Sequence, residues 1–342
     1  KFNSIEHLNF HKKYSKRIHH LKGGPIWNEK DALPSDFLYI TLVNFSKNKK
    51  NILFQGDSWA GQLTNKERKE YHLAKNFIIK KSLENNFGFI NAGINSFSPT
   101  LMKLQLEILS EDFKINPSIV IAYIDQTDIG DENCRYKNNV IIEDNNVVAV
   151  KEESFSGKPF DYSKTYGESK IILKKNSYIS KIFALTNFRI YFSYKKIIYK
   201  IKIKINKLNK EINKCYWPDI QRYLTNSSEK ELNYFKESVN SYVNYVVDKN
   251  IDKLFLVTFP HQNHLDSAKI EKKYNHNVSD IIDKIKFNSN KVEHINFSKL
   301  IKDGQIKIDK DMYYKNDPAS HLSDKFYADV FLKKIMEIVI KQ

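Results

Sequence analysis

A serine, a histidine and an aspartate can relay a proton, and this chain carries one of each in loop-like settings. Gly56-Asp57-Ser58 follows directly on the apolar run Asn51-Ile52-Leu53-Phe54-Gln55, with Trp59 next. Asp317 and His321 stand near the other end, in Asn316-Asp317-Pro318-Ala319-Ser320-His321-Leu322-Ser323. A strand that ends in glycine and turns abruptly into a helix holds a serine hydroxyl clear of the sheet. There an imidazole can take its proton as the oxygen attacks a carbonyl carbon. The same residues have a plainer use. Gly-Asp-Ser is also a turn that caps a helix, and Asp-Pro-Ala-Ser can be a helix boundary with Ser320 or Ser323 as cap.

The elements that would position these groups are legible as hydrophobic pattern. Five short apolar runs, 51–56, 88–92, 118–124, 253–259 and 292–297, read as buried parallel strands ending in polar or Gly-containing turns. Helical segments separate them. Leu73, Phe77, Ile78 and Leu83 give one apolar face to 65–86, and Leu101, Leu104, Ile108 and Leu109 give one to 100–113. Further helices are expected at 229–249, 268–287 and 323–341. Five strands alternating with helices predict a three-layer α/β/α fold with a doubly wound, five-stranded parallel sheet whose ligands sit at the carboxyl ends of the strands.

Far more chain than one helix lies between the third and fourth strands. Val140 to Val150 reads as a hairpin with its turn at Asp144 to Asn146, and a basic, aromatic stretch follows from Tyr178 to Trp217. Residues 129–228 are therefore expected to be an insertion at the rim of the site, within a main domain of 49–342. Residues 1–48 form an N-terminal extension containing His19 and His20, with a turn at Gly23-Gly24-Pro25. The segment 194–205 alternates Lys and Ile toward its end, and 188–214 can equally be drawn as a basic amphipathic helix. It could rest on an anionic membrane, clamp an acidic glycan, or be the solvated face of a subdomain.

Charge adds little. The formal net charge is +16, from 56 Lys and Arg against 40 Asp and Glu in 342 residues. Such a balance raises nucleic acid, anionic membrane and acidic polysaccharide as partners. Most of the excess is Lys in a chain crowded with Asn, Ile and Tyr, so general residue usage accounts for it equally well. No RNP-like sequence or zinc-finger spacing occurs, and nucleic acid is not expected as a partner. Cys134 and Cys215 make neither a disulfide framework nor a metal-ligand spacing, and leave room for one bridge. No run reaches the roughly 18 apolar residues of a membrane span. The chain opens Lys1-Phe2-Asn3, so a targeting segment or anchor could have been removed.

Gly56-Asp57-Ser58 resembles the first conserved block of the SGNH, or GDSL-like, hydrolase superfamily, and the resemblance spreads over residues 50–130 and 250–335. It implies a flavodoxin-like fold of the SGNH type with Ser58 as nucleophile. Asn91-Ala92-Gly93-Ile94-Asn95-Ser96 resembles the second block, whose glycine amide helps hold an oxyanion; Gly93 fits that position beside the amide of Ser58. The third block departs from the family's Gly-x-Asn-Asp. Here the strand ends Ile124-Asp125-Gln126-Thr127-Asp128, which sets Thr127 at the asparagine position, with Gln126 as the other candidate for a third oxyanion donor. Asp128 keeps the family's acidic residue, with a structural task on loop amides. The last block, normally Asp-x-x-His, is one residue longer from Asp317 to His321; Asp311 is the less favoured substitute.

By this resemblance His321 is the base, Asp317 orients it, and an acyl-Ser58 is passed to water or to a sugar hydroxyl. The His-Leu-Ser ending and the large insertion resemble polysaccharide-modifying branches. They imply an esterase or O-acyltransferase acting on acetyl groups of a bacterial surface carbohydrate, with an acyl donor if it is a transferase, in a periplasmic or membrane-anchored extracytoplasmic setting. Candidate substrate contacts are Asp57, Trp59, Asn95, Asp125 and His261. His261 and His264 lack a third ligand at recognisable spacing, so no metal or cofactor is expected. Two rival readings stand beside this one: a non-catalytic glycan- or membrane-binding module on the same scaffold, and a lipid esterase or thioesterase. Oligomeric state is not legible.

Overall fold

The computed structural model describes residues 40–64, 71–111, 113–144, 146–150, 215, 217–265, 276–308, 311–315, 317 and 319–341. The turn at Gly23-Gly24-Pro25, His19, His20, the basic segment 188–214 and the first part of the helix expected at 268–287 lie outside them. The chain divides into two units, 1–32 with 150–214 and 33–149 with 215–342. All described residues but Val150 belong to the second.

Strands form where the apolar runs fall. In chain order they are β1 Thr41–Val43, β2 Asn51–Gln55, β3 Gly88–Asn91, β4 Ile119–Tyr123, β5 Val140–Glu143, β6 Asn146–Val150, β7 Lys253–Thr258 and β8 Val292–Asn296. One sheet has the order β1-β3-β2-β4-β7-β8, and β5 pairs with β6 in a separate hairpin. The five strands from β3 to β8 are parallel, in registers such as Ile52 with Phe89 and with Ile119, and Leu254 with Val292. Every residue of β2 and β4 is buried, which is why both read as continuous apolar runs without alternation.

The expectation of a purely parallel, five-stranded sheet needs correction. Thr41–Val43 adds a sixth strand, antiparallel to β3 at the edge. Three residues are too few to display a period, so pairing with Phe89–Asn91, rather than local pattern, makes this segment a strand.

Helices cover both faces. Taken in chain order, α1 is Ser58–Gly61, α2 Tyr71–Glu84, α3 Pro99–Glu111, α4 Asp128–Gly130, α5 Trp217–Thr225 and α6 Glu229–Asp248. Helices α3 and α6 pack together on one face. There Tyr242 Oη donates to Gln55 Oε1 at 2.9 Å, Gln55 Nε2 donates to Gln105 Oε1 at 2.7 Å, and Gln105 Nε2 donates to the carbonyl of Ala92 at 2.9 Å. This buried polar chain ties both helices to β2. On the other face Ile52, Phe54, Phe89, Ile121, Tyr123, Phe255 and Val257 form a core with Ile78 of α2 and with Phe331, Ile335 and Val339 of the C-terminal helix. That helix runs from Asp324–Phe326 through wider turns at Tyr327–Leu332 into Lys333–Val339. The result is a mixed α/β architecture with a mostly parallel sheet, compatible with three layers.

Two features bear on the site. Connections leave β2 toward β3 on one side and reach β4 on the other, so the carboxyl ends of β2 and β4 border the crevice where such sheets bind ligands. Beyond β4, α4 and the wide turn Asp131–Tyr136 are joined to the segment before α5 by the disulfide Cys134–Cys215. A bridge over a separation of 81 residues stabilises by about 4 kcal/mol through loop entropy.

Candidate active site

Chain geometry at the end of β2 explains why Ser58 stands where it does. Gly56 adopts φ +146°, and a Cβ there would lie 2.9 Å from both Cβ and O of Tyr123 in β4, so only glycine lets the chain turn this close to its neighbour. Asp57 then caps α1, its Oδ1 accepting from the Trp59 amide at 2.8 Å. Ser58 opens the helix, half-buried, with its Oγ 3.4 Å from Asp57 Oδ2.

The structure brings Ser58, His321 and Asp317 together. Ser58 Oγ lies 2.5 Å from His321 Nε2, and His321 Nδ1 lies 2.5 Å from Asp317 Oδ2. A carboxylate at Nδ1 holds the proton there and leaves Nε2 to accept from the serine. Asp317 also accepts from the amides of His321 and Ala319, at 3.1 and 3.0 Å. Burial alone would raise this carboxyl. The hydrogen bond and electrostatic attraction from His321, together with the two amides, outweigh burial and hold it below its ordinary value.

The longer Asp-to-His interval is absorbed by one residue. Ser320 takes φ +60° and is fully buried, its amide donating to the Asp317 carbonyl and its Oγ accepting from the Gln262 amide. Gln262 Nε2 also donates to the Asp317 carbonyl, and Gln62 Nε2 to the carbonyl of Leu322. Underneath, Trp59 stacks on Tyr123 with centroids 5.0 Å apart and places its ring 6.1 Å from that of His321. The imidazole is thus held from below and from both ends of its loop.

The Gly93 loop lies against α1. A Cβ on Gly93 would fall 2.3 Å from Ala60 C and Gly61 N, backbone atoms that cannot yield separately. Gly93→Ala is therefore expected to lower the melting temperature and to cut any Ser58-dependent turnover by about 100-fold, the scale of one displaced oxyanion donor. Thermal melting beside steady-state kinetics checks this, and wild-type behaviour in both would refute it.

Two residues expected near the oxyanion are engaged elsewhere. Thr127 donates its hydroxyl to Asp125 Oδ1 at 2.6 Å, and its amide goes to the same oxygen at 2.6 Å. Gln126 points away: its Oε1 accepts from the Val278 amide at 2.9 Å and its Nε2 donates to the His276 carbonyl at 3.3 Å. The reason is an aspartate at the strand end, which folds the following amides back onto its own carboxylate. The structure thus gives neither side chain to a third donor position.

Candidate substrate contacts divide likewise. Asp57, Trp59, Asp125 and His261 are buried, and only Asn95 of the five is exposed. Asp57, Trp59 and Asp125 serve as cap, support and turn. Carboxylate oxygens of Asp57, Asp125 and Asp128 lie within 4.8 Å of one another, a grouping that could hold a cation. Burial first, and then the neighbouring carboxylates, push Asp57 and Asp128 well above the ordinary carboxyl value, so protons can satisfy the same cluster. Asp128 Oδ2 accepts from the Asp125 amide at 3.1 Å. Burial and the neighbouring His261 and His276 lower His264 to about 4. Among the described residues these histidines form no grouping able to hold a metal.

These are the groups, at the spacing, that acyl substitution at a serine requires. No protein-family model, curated protein or solved structure matches it. Sequence reading missed the supports Gln62 and Gln262, and it left the Cys134–Cys215 bridge open. The two glutamines carry no local signal, because each acts across a fold-dependent gap, whereas the even pair of cysteines did allow a bridge.

Proposed function

We propose that this chain is a serine-dependent carbohydrate esterase or O-acyltransferase of the SGNH type, working through an acyl-Ser58 on O-acetyl groups of a bacterial surface polysaccharide. The observation that carries the reading is the continuous relay from Ser58 Oγ through His321 to Asp317. The fold supports it: the parallel strands run in the flavodoxin-like order, with Ser58 after the first of them, Gly93 after the second, and His321 beyond the fifth. The disulfide supports an oxidising, extracytoplasmic setting.

Ser58 Oγ bonds to the acyl carbon as its proton passes to His321 Nε2. The bond from that carbon to the sugar oxygen breaks, and the departing alcohol takes the proton from His321. Water or a second sugar hydroxyl then gives its proton to His321 as it attacks the acyl carbon, the bond from that carbon to Ser58 Oγ breaks, and His321 returns the proton to Ser58 Oγ. The amides of Ser58 and Gly93 stabilise the oxyanion in both halves.

The test is release of 4-nitrophenol from its acetate ester by the wild type, Ser58→Ala and His321→Ala, with mass spectrometry of the Ser58 peptide after rapid acid quench. Turnover confined to the wild type, and an acetyl group on that peptide, are expected. Equal, feeble release by all three with no acetylated peptide would refute the reading.

A further inference from the structure

Beyond the relay, the loop that carries Gly93 has its own clamp. Ser96 sits at φ +61°, a left-handed conformation that a residue with a Cβ keeps only when its surroundings impose it. The Phe97 amide donates to the Ile94 carbonyl at 3.0 Å and closes a turn with Ser96 at its third position, and two side chains of one element, the wide turn Asp131–Tyr136, then brace Ser96 there. Tyr136 Oη donates to the Ser96 carbonyl, and Arg135 Nη1 donates to Ser96 Oγ at 3.1 Å.

That turn is itself fixed at successive residues. Arg135 Nε lies 2.9 Å from Asp131 Oδ1. Glu132 accepts from Ser98 Oγ, and from the amide and hydroxyl of Thr100, where α3 begins. Asn133 Nδ2 reaches the carbonyls of Ile129 and Glu231. Cys134 is bonded to Cys215. A wide helical turn spreads consecutive side chains around its axis, so one short stretch grips α3, α6, the segment before α5 and the Ser96 loop together.

We propose that Arg135 and Tyr136 are positioning residues for the oxyanion-binding loop: through Ser96 they set the place of the Gly93 amide relative to Ser58. This rests on the catalytic reading given above. Gly93 is three residues from Ser96, and the loop between them abuts α1, with Asn95 Oδ1 3.9 Å from where a Cβ of Gly61 would stand. A shift at Ser96 therefore reaches Gly93 along a short, confined path. The amide contributes where charge develops, in the transition state, so its displacement lowers kcat and leaves KM nearly unaltered.

The experiment compares wild type with Ser96→Ala, Tyr136→Phe, Arg135→Met, Arg135→Lys and the double variant Arg135→Met/Ser96→Ala, measuring kcat and KM on 4-nitrophenyl acetate and melting by circular dichroism. For Ser96→Ala, Tyr136→Phe and Arg135→Met, kcat is expected to fall by about 10-fold, a fraction of the loss of a whole donor, with KM within about 2-fold. Arg135→Lys should recover part of the loss, and the double variant should be no slower than the worse of its two parents, because both remove one contact. Unchanged kcat in the folded single variants, or losses that multiply in the double, would overturn the proposal. Ser96→Ala and Tyr136→Phe disturb least, so they decide the matter if Arg135→Met fails to fold. A wild type without Ser58-dependent turnover would sink the catalytic reading and this inference with it. An active wild type matched by its folded variants would sink this inference alone.

Discussion

Replacing Asp317 with asparagine should lower ester turnover by roughly a thousand- to ten-thousand-fold while leaving the fold in place. The carboxylate accepts the His321 Nδ1 proton and so leaves Nε2, 2.5 Å from Ser58 Oγ, as an acceptor. An asparagine amide can turn its NH2 toward Nδ1. The ring proton then moves to Nε2, which faces the serine as a donor and cannot take its proton. One Asn oxygen can still serve the amides of Ala319 and His321 in part, so loop geometry should largely survive. Stability adds a second readout. Because the Asp317 carboxyl is held below its ordinary value of 3.8, its contribution is present above that pH and is lost as pH falls through the lower folded value. The stability gap between wild type and Asp317→Asn should accordingly shrink below about pH 4. Kinetics at neutral pH and urea unfolding at several acid pH values test both halves; turnover within 10-fold of wild type would refute the orienting role.

Four of the parallel strands, β2, β3, β4 and β7, were legible because burial on both faces leaves them as largely apolar runs ended by polar residues, whereas β8 is only partly buried and carries Glu293 and His294. Boundaries drifted by a single residue: the expected runs carried Gly56, Ala92, Ser118, Ile124, Phe259 and Phe297 just past the strand ends, while Gln55 and Asn91 were rightly included despite their polarity. What escaped is what only pairing or packing creates. Thr41–Val43 becomes a strand by meeting β3, and the wide turn at Asp131–Tyr136 follows from contacts to four other segments.

Side-chain direction in turns was the harder problem at the site. Residues joined by a motif, Ser58, Asp317 and His321, meet because strand order brings their two loops to one edge. Thr127 and Gln126 were assigned by register, but Asp125 at the strand end captures Thr127 and leaves Gln126 to bind 276–278. Register along a strand does not continue through a turn that a carboxylate organises.

Glu132 is expected to have the largest effect on stability. Its carboxyl is fully buried and accepts from Ser98 Oγ at 2.5 Å, the Thr100 amide at 2.8 Å and Thr100 Oγ1 at 2.7 Å. Glu132→Ala would strand these donors in a closed interior, and at about 1–3 kcal/mol for each unsatisfied group a loss of about 3–5 kcal/mol follows, since a water can re-enter the space in part. Glu132→Gln keeps one acceptor and most of the volume, and should lose about 1–2 kcal/mol. Burial raises this carboxyl above its ordinary value of 4.5, although bonds from Ser98, Thr100 and Ser238 offset part of the rise. A raised group stabilises fully below its unfolded value and loses that contribution as pH climbs through the folded one. The advantage of wild type over Glu132→Gln should therefore be greatest below about pH 4.5 and narrow toward neutrality. Urea unfolding of all three proteins at acid and neutral pH measures this; an advantage that widens with pH would mean that the buried group is stabilised as the carboxylate.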